Sequence, residues 1–145
     1  MPKVSDLLKR KGSDVASVNE NDTVLDAAHI MNDLKIGSVV VTHDEMVVGI
    51  FTERDILMRI VAAEKDPATT KVGDVMTRPV AACCPHTSLE ECQSVISSKR
   101  IRHLPVVDEG RLVGIVTSGD LLAREAKEQA ATIEYLYEYL YGKKP

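Results

Sequence analysis

Val48-Gly49-Ile50-Phe51-Thr52-Glu53-Arg54-Asp55 and Val113-Gly114-Ile115-Val116-Thr117-Ser118-Gly119-Asp120 are one stretch written twice, 65 residues apart. In each, an apolar β-branched run ends in Thr-x-x-Asp. That spacing lets a hydroxyl and a carboxylate each satisfy a free backbone N–H at the first turn of a helix. Each copy therefore reads as a strand that turns into a helix. The same offset of 65 carries Val15-Ala16 onto Val80-Ala81, Ile36 onto Ile101, Val41 onto Val106, Leu57 onto Leu122 and Arg59 onto Arg124. Upstream, Lys3-Val4-Ser5-Asp6 matches Lys71-Val72-Gly73-Asp74 at an offset of 68, so the first copy carries three extra residues near 11–13. Self-similarity on this scale marks a duplicated supersecondary unit.

Each unit reads β-α-β-β-α. A short strand is expected at residues 15–18 and again at 80–83. Thr23-x-x-Asp26 and Ser88-x-x-Glu91 are capping boxes that open helices over Val24–Leu34 and Leu89–Lys99. Gly37 is placed to follow the first of these as a C-terminal cap. Hairpins follow, 38–42 with 46–51 across His43-Asp44-Glu45, and 104–107 with 111–116 across Asp108-Glu109-Gly110. The second helix of each unit starts at Thr52 or Thr117. Such a unit cannot cover both faces of its small sheet, so two must pack together as an α+β module. The expected division is 1–65, 66–127 and a helical extension over 128–145, with residues 64–70 as the link.

The chain of 145 residues can bury a core without disulfide or metal staples. With no Trp and a single Phe, that core must be aliphatic. A net charge of −4 leaves no electrostatic footprint for nucleic acid. No run approaches the ~18 apolar residues of a membrane span. The start, Met1-Pro2-Lys3 with Asp6 close behind, lacks the apolar stretch of a signal peptide. Three cysteines without a CxxC pair suit a reducing cytoplasm. Cys83, Cys84 and Cys92 read as small hydrophobes. His29, His43 and His86 show no metal-ligand spacing, and no arrangement points to a catalytic residue, so an enzyme is not expected.

The Thr-x-x-Asp turns admit two readings. Capping alone explains them. A ligand site uses the same geometry, because a helix start offers free N–H groups to an anion and an Asp accepts from a ribose diol. A glycine on the strand before it lets a ligand come close.

The paired Gly-x-x-Thr-x-x-Asp endings, the Val72-Gly73-Asp74-Val75-Met76-Thr77-Arg78-Pro79 opening and the segment Ile101-Arg102-His103-Leu104-Pro105-Val106-Val107 resemble CBS domains. The resemblance spans roughly residues 3–125 and is to the stand-alone tandem pairs, or Bateman modules. It implies pseudo-twofold packing with two clefts that take AMP, ATP or NAD-type ligands, an energy-sensing role, and frequent homodimers. By the family pattern, Thr52, Arg54 and Asp55 would share one cleft with Ile101, Arg102, His103 and Pro105. Thr117, Gly119 and Asp120 would share the other with Ile36, Gly37 and Ser38. The first of these is then the cationic cleft and the better fit to phosphate.

The expected function is a non-enzymatic adenine-nucleotide sensor that regulates a separate, unknown effector protein. The alternative is a structural or oligomerisation module with unoccupied clefts. Residues 121–141 contain neither Gly nor Pro and hold all four tyrosines. They read as a helix that packs back on the module or contributes to an interface.

Overall fold

The computed structural model describes residues 2–141, without the side chains of residues 131–139 and 141. Ile133, Leu136 and the four tyrosines therefore lie outside the described side chains. The elements run α1 (Val4–Lys11), β1 (Ser17–Asn19), α2 (Val24–Leu34), β2 (Ser38–His43), β3 (Met46–Thr52) and α3 (Glu53–Asp55), which continues as a π-helix over Ile56–Val61. The second half follows as α4 (Val72–Val75), α5 (Leu89–Lys99), β4 (His103–Asp108), β5 (Arg111–Thr117) and α6 (Ser118–Tyr141). The α+β expectation holds, and the C-terminal extension is the continuation of α6 rather than a separate element.

The strands form one sheet in the order β1-β2-β3-β5-β4. Its halves are near copies. Ser38 pairs with Thr52 as His103 pairs with Thr117, and the register slips after Val41 as it does after Val106. Each hairpin turns on two residues with positive φ, Asp44 and Glu45 (49° and 69°) and then Glu109 and Gly110 (53° and 82°). That left-handed pair matches the twist of the strands it joins. Between the halves, β3 and β5 meet at the single pair Met46 and Arg111.

Two expectations need correction. Gly37 does not cap α2, because Lys35 takes the left-handed conformation at φ 54°, as Arg100 does after α5 at φ 53°. The N–H groups of Ile36 and Ile101 then close the last turns onto Met31 O and Ile96 O at 3.0 and 3.1 Å. The strand over 80–83 shrinks to an isolated bridge between Cys83 and Val106. The chain turns away at once, with Thr87 N–H on Cys84 O and Cys84 N–H on the Thr87 hydroxyl, both at 3.0 Å.

The two cores exchange segments. Val72, Val75 and Met76 pack with Val24, Met31, Val39 and Phe51 of the first repeat. Val4 and Leu7 of α1 pack with Leu89, Ile96, Leu104 and Val116 of the second. Backbone bonds fix both crossings. Val4 N–H reaches Thr87 O at 2.9 Å, and Val72 N–H reaches Asp22 O at 2.8 Å. The division near residue 65 separates sequence copies, while each core draws its opening helix from the other side of the chain.

Candidate functional site

Both capping boxes form. Asp55 N–H donates to Thr52 Oγ1 at 3.2 Å and Thr52 N–H to Asp55 Oδ2 at 3.0 Å. The same bonds between Thr117 and Asp120 are both 3.0 Å. What remains of each carboxylate differs. Asp55 is 6% exposed. The Thr77 hydroxyl lies 2.9 Å from its Oδ1 and 3.2 Å from its Oδ2, and Arg59 Nε stands 3.8 Å from Oδ1. Arg59 is itself held by the carbonyls of Val75 and Met76, at 3.0 and 2.8 Å from Nη1.

Asp120 keeps more freedom, with 22% of its side chain exposed. Its Oδ2 receives the Thr117 N–H and the Lys11 ammonium, the latter at 2.5 Å, and Lys11 also donates to Ile115 O at 2.9 Å. Its Oδ1 accepts no hydrogen bond among the described residues. Partial burial pushes the Asp120 carboxyl up, but the Lys11 ammonium and the Thr117 N–H and hydroxyl outweigh this and hold it below the ordinary value.

The remaining candidates assemble within each repeat. Glu53 N–H bonds to Gly37 O at 3.0 Å, and Ser38 pairs with Thr52, which sets Ile36, Gly37 and Ser38 beside α3. Ser118 N–H bonds to Arg102 O at 2.9 Å, and His103 pairs with Thr117, which sets Ile101, Arg102 and His103 beside α6. The cationic pair expected opposite Asp55 thus neighbours Asp120. The His103 imidazole is pushed down by burial and by the Arg102 charge, and partly drawn back up by Asp120 and by Glu53 of the first repeat. Glu53 thus lies within electrostatic range of His103 across the repeats, alongside the direct bonds of Lys11 to Asp120 and of Thr77 to Asp55. Arg54 and Gly119 are exposed, and Pro105 is fully buried, with its carbonyl accepting the Cys83 N–H at 2.9 Å.

The glycines before the turns serve a different purpose from the one expected. A Cβ on Gly49 would meet the Met76 side chain and, at 3.1 Å, the Thr77 carbonyl; one on Gly114 would meet Leu8 Cδ2 at 2.8 Å. The close approach to these strands is made by the exchanged segments, not left open for a ligand. In the first repeat, the Ser38 hydroxyl is buried without a hydrogen-bond partner. An open depression of about 520 Å³ is lined by Ile36, Gly37 and Glu53 together with Met31, Asn32 and Lys35. Lys11, Thr77, Arg59 and Glu53 were not singled out as site residues by the sequence. For Lys11, the signal was the three-residue insertion at 11–13.

Among the described residues, no group of three or more His, Cys, Asp or Glu side chains could hold a metal ion, and no helix is long and apolar enough to cross a membrane. Cys83 and Cys92 are buried in the second core and Cys84 is exposed.

Comparison with known proteins agrees with this geometry. The CBS domain family matches at residues 4–62 and again at 72–127. The CBS domain-containing protein YhcV of Bacillus subtilis is 35% identical over 117 residues, covering 81% of this chain and 83% of that protein. A CBS-domain protein of Burkholderia ambifaria superposes with a TM-score of 0.81 at 35% identity, covering 88% of this chain and 96% of the other. The CBS domain pair of protein MJ0100, solved with 5′-methylthioadenosine and S-adenosyl-L-methionine, superposes with a TM-score of 0.78 at 26% identity, covering 88% and 98%. With two family matches and two interlocked copies of one unit, the chain belongs to the CBS-domain family as a tandem pair.

Proposed function

We propose that this CBS pair is a non-enzymatic cytoplasmic sensor that binds an adenine nucleotide such as AMP, ATP or NAD and thereby regulates a separate effector protein. One observation carries the reading. Asp120 stands at a strand-to-helix turn with one carboxylate oxygen unengaged, beside Lys11, Arg102 and His103. A ribose diol donates to such an oxygen, and the Lys11 and Arg102 cations suit phosphate. The adenosine compounds bound by the MJ0100 pair support the class of ligand. In the first repeat, the unpartnered Ser38 hydroxyl supports a second site, since a buried polar atom left unpaired costs about 1–3 kcal/mol.

Regulation follows from differential affinity. The two half-sheets share one register pair, so a ligand that touches Asp120, His103 and Glu53 couples to the relation between the repeats. Isothermal titration with AMP, ATP, NAD and S-adenosylmethionine is expected to show binding of at least one, lost in Asp120→Ala. Silence toward all of them would end the sensor reading and leave the structural module, which the fully engaged Asp55 favours for the first repeat.

The same reading makes the chain a homodimer. Leu57 and Leu122 are equivalent in the duplication and are 62% and 64% exposed, and Val61 is 64% exposed. Large aliphatic side chains paired in this way suit a self-complementary interface. Light scattering is expected to give twice the chain mass, reduced by Leu57→Glu together with Leu122→Glu; a monomeric wild type would refute it.

A further inference from the structure

We propose that Lys11 makes the Asp120 site selective for phosphorylated nucleosides over uncharged ones. The inference rests on the nucleotide-binding reading and deepens it. Lys11 is the last residue of α1, which Gly12 ends at φ 94° with its N–H on Leu8 O at 2.8 Å. The backbone beneath Lys11 is anchored, since Val4 and Leu7 belong to the second core and Leu8 lies against Gly114. The ammonium, on a flexible stem and with a quarter of the side chain exposed, donates to Asp120 Oδ2 and Ile115 O. An ammonium has three donors, so one remains.

The charge pattern gives that donor a purpose. Without Lys11, an ionised Asp120 beside the ribose position would repel a phosphate. With it, the carboxylate is neutralised and a donor is left over for the anion. Arg102 is exposed and makes no side-chain hydrogen bond among the described residues, so the held cation of the site is Lys11. The first repeat is built differently: the cation near Asp55 is Arg59, whose Nε stands 3.8 Å from Oδ1 and whose Nη1 is taken by the Val75 and Met76 carbonyls. There the donor to Asp55 is the Thr77 hydroxyl, whose only proton is already committed to the carboxylate.

Titration of the whole chain with AMP and with adenosine, in the wild type and in Lys11→Met and Lys11→Arg, tests this. The wild type is expected to prefer AMP, and Lys11→Met to lower the ratio of AMP to adenosine affinity by about tenfold or more, the scale of a lost charge-assisted hydrogen bond. Lys11→Arg is expected to keep most of the preference. Adenosine binding in Lys11→Met serves as the check that the fold and the ribose site persist. An unchanged ratio in Lys11→Met, with both ligands bound, overturns the role of Lys11 and spares the sensor reading. A wild type that binds neither ligand overturns both.

Should Lys11→Met not fold, Arg102→Met decides the question. A salt-sensitive preference for AMP over adenosine that survives in Arg102→Met supports the proposal, and a preference lost with Arg102 overturns it.

Discussion

Asp55 and Asp120 occupy the same place in the duplicated sequence and make the same cap, yet they end as different chemical groups. At Asp55 the exchanged segment supplies a threonine hydroxyl, and Arg59, one turn further along the same helix, stands near the same carboxylate oxygen. At Asp120 it supplies a lysine, which leaves an acceptor oxygen and a donor proton over. The difference comes from segments distant in sequence, not from the motif. Duplication copied the turn, and the two opening segments then gave each copy its own surroundings, with one carboxylate enclosed and the other partly open.

The sharpest way to break this comparison is to remove the two donors in turn. Thr77→Val leaves the buried Asp55 carboxylate short of a partner and is expected to cost about 1–3 kcal/mol. Lys11→Met removes a partly exposed ion pair and is expected to cost about 1 kcal/mol or less. Urea denaturation measures both. A Lys11→Met cost equal to that of Thr77→Val would mean that the two carboxylates are held alike.

A smaller effect is expected with pH. The Asp120 carboxyl is held below its unfolded value of 3.8, so its pairing stabilises the fold fully above that value and is lost as pH falls through the lower, folded one. The stability gap between wild type and Lys11→Met should therefore be level near neutrality and shrink on acidification. A gap that persists unchanged at pH 2 would mean that Lys11 contributes by packing its stem, not by its charge.

Much of this was legible in the sequence because it is local. The capping patterns at Thr23 and Ser88 placed the starts of α2 and α5, although at Ser88 only the hydroxyl half of the box forms, with the Glu91 N–H on Ser88 Oγ at 3.1 Å. The hairpins followed from β-branched runs around short polar links. Each depends on residues within a few positions of one another. Partners across the fold were not legible. Thr77 lies 22 residues from Asp55, and Lys11 lies 109 residues from Asp120. Nothing within either motif indicates which segment will come to rest on it.

The family pattern also set Arg102 and His103 opposite Asp55. The backbone bond from Ser118 to Arg102 also ties them to their own helix start, a neighbour that the family pattern did not name. Gly49 and Gly114 misled for a related reason: a strand glycine signals close approach, but not whether a ligand or the chain itself approaches.

The crossing of α1 into the second core has a practical consequence for anyone handling this protein. A tag, a fusion or a cleavage near the first dozen residues acts on the far half of the chain, because Val4 and Leu7 fill its interior and Lys11 sets the charge at Asp120. Helix α1 is a handle on the Asp120 turn. What pulls on that handle will be felt 109 residues away.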